Sequence, residues 1–178
     1  NQNWKKFIPG KEEVLIHGLT FLKNWIIRGE TSNALDKLFL RNISTNKEEE
    51  LIFSDENVCV PGVSLIQKNR NTNEVYLSYS SPKTPTRVYK FNLLNKSKEL
   101  VKEQEIPSGH NKDDYIVERI EFKSHDGRLV PLTITRHKKT PVDGSAKLIL
   151  YGYGSYGNSI SPSFSSSRFS LINRDIIW

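Results

Sequence analysis

The 178 residues carry a formal charge of +6, 36% hydrophobic side chains and one cysteine. That leaves room for one ordinary domain or pieces of two, and it excludes an internal disulfide. No apolar run nears the roughly 18 residues of a membrane-spanning helix, since Lys23 and Asn24 interrupt the nearest, Leu19 to Ile27.

The charge is scattered rather than striped. Lys5-Lys6 and Lys138-Lys139 are isolated pairs, Glu48-Glu49-Glu50 breaks the first half, and no Lys/Arg series is interleaved with aromatics. Nucleic-acid and membrane partners are therefore not expected. The opening Asn1-Gln2-Asn3-Trp4 shows no apolar export segment, and Cys59 sits in Val58-Cys59-Val60 as a small buried hydrophobe would. A reducing, cytoplasmic compartment fits both.

Along the first two-thirds the chain reads as short strands. Compact apolar runs are punctuated by Asn, Ser, Lys, Gly and Pro at Val14–Ile16, Leu19–Leu22, Trp25–Arg28, Lys37–Asn42, Glu50–Phe53, Val63–Gln67, Glu74–Ser80, Arg87–Asn92 and Glu99–Glu103. A weak repeat groups them. Lys37-Leu38-Phe39-Leu40-Arg41-Asn42 with Asn46-Lys47 and Glu50-Leu51 returns as Arg87-Val88-Tyr89-Lys90-Phe91-Asn92 with Asn95-Lys96 and Glu99-Leu100. An offset of about 50 residues, holding four antiparallel strands, suits a β-propeller blade; a generic antiparallel sheet is the alternative.

Around residues 112–113 the texture changes. The polar stretch Pro107 to Lys112 precedes Tyr115–Phe122, one alternating strand; His125-Asp126-Gly127-Arg128 makes a hairpin turn, and Leu129–Thr135 returns with Pro131 marking an edge or bulge. A domain boundary there divides the chain into 1–112 and 113–178. Lys147 to Tyr151 then reads as a buried strand emptying into Gly152-Tyr153-Gly154-Ser155-Tyr156-Gly157. Ser165 to Asn173 reads as a short helix, and Ile176-Ile177-Trp178 as the opening of another strand.

The glycine turn admits two chemistries. Gly152-x-Gly154-x-x-Gly157, with Asp175 eighteen positions on, matches a dinucleotide fingerprint. Yet Pro162 forbids a smoothly continuing helix, Asp175 precedes its strand instead of ending it, and Tyr153 and Tyr156 are bulky where backbone must approach pyrophosphate closely. Alternatively, a tyrosine hydroxyl at the tip of a strand can donate a hydrogen bond to the oxyanion of a tetrahedral intermediate, a contribution of about 3 kcal/mol. A packing ring in a turn is the plain alternative for either tyrosine.

From Tyr115 to Trp178 the chain resembles the prolyl oligopeptidase family of serine peptidases, in particular its oligopeptidase B (protease II) branch. The likeness rests on His125-Asp126-Gly127 with Pro131, on Leu148 through Gly157, on Pro162-Ser163-Phe164-Ser165 and on Ser167 through Asp175. Tyr79-Ser80-Ser81, Thr84-Pro85 and Val88 to Asn92 look like the last blade of the same proteins. The resemblance implies a mostly β chain, the final blades of a β-propeller followed by the N-terminal strands of an α/β-hydrolase domain. It also implies an oligopeptide substrate cleaved after Lys or Arg, Tyr153 as the oxyanion-hole hydroxyl, and Tyr156 as an aromatic near the specificity pocket.

The sequence itself holds no G-x-S-x-G elbow; Ser155 in Gly154-Ser155-Tyr156-Gly157 is one residue short of that spacing. The chain thus reads as a truncated piece, inactive alone, with the remaining catalytic segment as a further partner. A non-catalytic propeller fragment retained for binding, or a gene remnant, is the competing interpretation. His17, His110, His125 and His137 form no ligand-spaced pair, so neither a metal nor another cofactor is expected.

Overall fold

The structure, a computed structural model, describes residues 3–178; Asn1 and Gln2 of the opening stretch lie outside the described residues. Two four-stranded antiparallel sheets come first. One is ordered β1 (Val14–Phe21), β2 (Trp25–Ser32), β3 (Leu35–Asn42) and β4 (Glu48–Glu50); the next is β5 (Val60–Leu65), β6 (Glu74–Ser80), β7 (Arg87–Asn92) and β8 (Lys98–Glu103). Each is a meander of neighbouring strands, the arrangement of a propeller blade.

Alternation builds the core they share. Val75, Leu77 and Tyr79 of β6 are buried, with Tyr76 and Ser78 between them turned the other way. They meet Ile27, Leu38 and Leu40 of the first sheet, with Phe91 and Leu93 closing the cluster. Each such side chain contributes about 1.5–3 kcal/mol by leaving water.

The fifty-residue repeat has a physical cause. Asn42 and Asn92 both end the third strand of a sheet, and each side-chain carbonyl accepts hydrogen bonds from the backbone N–H two and three residues on: Ser44 and Thr45 in one turn, Leu94 and Asn95 in the other. Asn46 and Lys96 then take matching left-handed conformations, at φ 57° and 61°. Asparagine suits this because its carbonyl mimics a backbone acceptor. Asn92→Ala should cost about 1 kcal/mol, and Asn42→Ala about the same, read as a shift in urea midpoint. Unchanged midpoints for both would remove the turns from the basis of the repeat.

Several strands run one to four residues longer than read in the sequence, such as β2 to Ser32 and β3 from Leu35, and three differ in kind. Val14–Ile16 and Leu19–Leu22 merge into the one strand Val14–Phe21, interrupted by a bulge between Ile16 and Gly18, with Leu22 past its end. The His17 ring at that bulge occupies the space a Cβ on Gly29 would fill. β4 lies at Glu48–Glu50, ahead of Glu50–Phe53: Leu51 still donates its N–H to the Leu38 carbonyl at 2.8 Å, and beyond it the ladder ends, with Leu51 and Phe53 buried in the core and Ile52 exposed. β5 starts at Val60 and stops at Leu65, where Gln67 and Lys68 turn to positive φ. Pro61 is tolerated in β5 because that strand lies at a sheet edge.

The second unit is a smaller mixed sheet. β9 (Tyr115–Lys123) and β10 (Leu129–His137) form a hairpin, while β11 (Lys147–Leu148) pairs in parallel with β12 (Ile176–Ile177), across the helix α1 (Ser166–Ile172). Thr135 and Trp178 exchange backbone hydrogen bonds at 2.8 and 2.9 Å, joining the two pairs into the order β9-β10-β12-β11. Lys147 to Tyr151 corrects the sequence reading: only Lys147 and Leu148 are in the ladder, and Leu148, Leu150 and Tyr151 are exposed. A parallel strand reads as a continuous apolar run when both faces are covered, and among the described residues β11 has β12 as its only paired neighbour.

Candidate active site

The end of β11 leads straight into the glycine turn. Ile149 extends the parallel pairing by one bond, its N–H donating to the carbonyl of Ile177 at 2.9 Å; the chain then swings away through Leu150 and Tyr151. Ser155–Gly157 form a single 3-10 turn in which Tyr156 (φ 56°) and Gly157 (φ 71°) are both left-handed. Glycine adopts this freely, whereas for a tyrosine it costs about 1–2 kcal/mol.

The two tyrosines end in different places. Tyr153 stands on the wall of a cleft of about 630 Å³, half exposed, with Leu132, Leu150, Ile160 and Trp178 among the apolar walls. Among the described residues its hydroxyl has no hydrogen-bond partner, so it is free to donate. Tyr156 is 95% exposed and is not part of that wall. Ala34 and Pro82 bring two loops of the propeller sheets to the same cleft.

Its charged lining is cationic. Arg119 donates to the hydroxyl of Thr133 at 2.9 Å and to the backbone carbonyl of Asn33, and burial pulls its guanidinium below the ordinary arginine range, with Glu121 acting in the opposite sense. Arg168 donates to the carbonyl of Ser163 at 3.0 Å and lies over the Trp178 ring, 5.3 Å from its centroid. No carboxylate stands among the lining residues.

One grouping near the site is not visible in the sequence. An aromatic cluster of Tyr115, Phe164 and Phe169 packs beneath α1 around the ring of His110, a residue that looks like ordinary linker. Its members are scattered over some sixty positions, so no local pattern announces them. His125, by contrast, stays in its exposed turn. Among the described residues no three His, Cys, Asp or Glu gather as metal ligands, and no helix is long and apolar enough to cross a membrane.

Known proteins resemble the chain in sequence and in fold. Over 99% of its length the chain is 29% identical to Dipeptidyl aminopeptidase BI of Pseudoxanthomonas mexicana, of which it covers 24%. Over 64% it is 30% identical to Protease 2 of Moraxella lacunata, covering 16% of that protein. The structure superposes on oligopeptidase B from Trypanosoma brucei, in a closed form with covalently bound antipain, with a TM-score of 0.85 at 26% identity; 96% of this chain and 25% of that one are covered. The chain thus spans about a quarter, or less, of the relatives it matches. Residues 1–104, more than half of the chain, match the family profile described as prolyl oligopeptidase, N-terminal beta-propeller domain, and the chain accordingly belongs to the prolyl oligopeptidase family.

Proposed function

We propose that these residues serve a serine oligopeptidase, 1–112 as the closing blades of its propeller and 113–178 as the opening strands of its α/β-hydrolase catalytic domain. Tyr153 is the residue that touches the reaction. Its unpartnered hydroxyl on the cleft wall, just past the carboxyl end of a parallel strand, is the observation that carries this reading. Loops at that end of a parallel sheet are where such folds place their chemistry. As a peptide carbonyl becomes tetrahedral its oxygen gains charge, and a preorganised phenol donor stabilises it more than it stabilises the planar ground state. Tyr156, exposed beside the turn, is available to a substrate side chain rather than to the reacting carbonyl.

The nucleophile, its base and the acid that orients the base are assigned outside residues 1–178, because these hold no G-x-S-x-G. Preference for Lys or Arg is assigned there too, since a basic side chain requires carboxylates and this cleft presents Arg119 and Arg168. By itself the chain is catalytically silent, a state in which it could act only as a propeller fragment that binds. The test is a chimaera in which residues 1–178 replace the matching quarter of Dipeptidyl aminopeptidase BI. The chimaera should hydrolyse a peptide substrate while the isolated 178 residues leave Lys and Arg esters untouched. Ester turnover by the isolated chain would overturn the assignment.

A further inference from the structure

We propose that His110 is a positioning residue, a pin that fixes the turn carrying Tyr153 relative to the propeller by joining a rigid blade loop to the aromatic cluster under α1. Its effect on catalysis rests on the role given to Tyr153; the joint itself does not.

One side of the pin is polar. His110 Nε2 lies 2.7 Å from the backbone carbonyl oxygen of Lys83. A carbonyl only accepts, so Nε2 must carry the proton. The loop that offers this carbonyl is firmly held. Ser81 and Thr84 are fully buried, the Ser81 N–H donates to the Thr84 carbonyl at 3.1 Å, the Thr84 N–H donates to Ser81 Oγ at 2.9 Å, and the Thr84 hydroxyl donates to Glu56.

The other side is aromatic. The imidazole lies parallel to the Tyr115 ring, 5.1 Å away, and meets Phe169 and Phe164 edge-on at 4.6 and 5.1 Å. Phe169 belongs to α1, and the Tyr115 hydroxyl donates to Asn173 Oδ1 at its end, 2.8 Å away. α1 delivers the chain to β12, and β12 holds β11, which runs into Gly152 and Tyr153. Displacement at His110 therefore travels to Tyr153 through one helix and one strand pair, both rigid units.

A second contact between the units is weaker. At the β2–β3 hairpin tip, Asn33 Nδ2 donates to Glu121 Oε1 at 2.9 Å and the Asn33 carbonyl accepts from Arg119, but both contacts are exposed and compete with water. Ala34 and Pro82, next in chain to Asn33 and Lys83, both line the cleft. Of the two joints His110 is the better shielded, so it sets the cleft width while the hairpin tip releases first.

Two measurements on the full 178-residue chain test this. In the unaltered protein, long-range proton–nitrogen spectra should show neutral His110 as the Nε2–H tautomer with that proton protected from exchange; an Nδ1–H tautomer would overturn the proposal. Spin labels at Lys102→Cys and Lys147→Cys, in a Cys59→Ser background, then report the distance between units. His110→Phe keeps an aromatic ring but loses the donor, and should broaden the distance distribution about twofold while near-ultraviolet dichroism of the cluster is retained. A distribution as narrow as the parent's would also overturn it. Broadening in this chain together with undiminished chimaera activity for Tyr153→Phe would leave the pin standing and remove the role of Tyr153.

Discussion

Tyr153→Phe in the chimaera is expected to lower kcat by about 10²-fold with KM nearly unchanged, the loss of one preorganised donor to an oxyanion. Phenylalanine keeps the ring against the cleft wall, so only the hydroxyl is tested. That hydroxyl lacks a partner among the described residues, and removing it strands no buried group that would destabilise the fold. A donor used equally in ground and transition states would raise KM instead. Tyr156→Phe provides the contrast: with its ring 95% exposed and off the cleft wall, it should leave kcat within about twofold. Equal losses for the two variants would point to disruption of the turn and would sink the specific role of Tyr153.

Arg28→Met is expected to destabilise the propeller sheets by about 3 kcal/mol, the lower end for breaking a buried ion pair. Arg28 and Glu30 are almost fully buried, on the face of β2 opposite Ile27 and hence turned from the inter-sheet core. Arg28 Nε reaches Glu30 at 2.8 Å, and its two terminal nitrogens clasp Glu48 at 2.6 and 2.9 Å, with the guanidinium over the Phe39 ring. Met leaves Glu30 buried without its partner. Glu48, whose side chain is 30% exposed, keeps water within reach of one end of the cluster, which argues for the lower figure.

The same cluster fixes a sign in pH. Hydrogen bonds from Arg28 outweigh burial and hold the Glu48 carboxyl below the usual glutamate range. The unfolded chain therefore takes up this proton first, so the stabilisation is complete above the ordinary glutamate pKa and is lost as pH falls through the lowered one. Urea midpoints measured from neutral to acid pH should show that loss in the parent and a flatter limb in Arg28→Met. The double variant Arg28→Met, Glu30→Leu should recover about half of the lost stability, since it removes the buried carboxylate and leaves unpaired only Glu48, which reaches solvent. No recovery would mean that packing, not charge, governs the site.

What the chain discloses in sequence is what local chemistry determines. Asn42 and Asn92 are legible because their turns need an acceptor at one position. Asp126-Gly127 is legible because Gly127, at φ 85°, closes the hairpin with a 2.8 Å bond between Ser124 and Arg128. β6 and β7 run at their sequence-read bounds because their alternation is clean. Leu51 and Phe53 mislead because an apolar alternation looks alike whether it continues a ladder or only fills a core. The exposure of Leu148 and Leu150 is invisible for a related reason: composition records what a strand can bury, not what lies against it. Tyr153 draws attention in the sequence through its flanking glycines, whereas His110 does not, since the rings it packs against lie up to some sixty positions along the chain.

The mutual bond between Thr135 and Trp178 also orders events in time. Every pairing in the two propeller sheets joins neighbouring strands through short turns, so those meanders can zip as the chain emerges. The sheet that carries the turn closes only when strands roughly forty positions apart meet, a slower search with a larger loop entropy to overcome. The blades consequently set first and offer the carbonyl of Lys83 as a fixed mould, against which the slower half completes its shape.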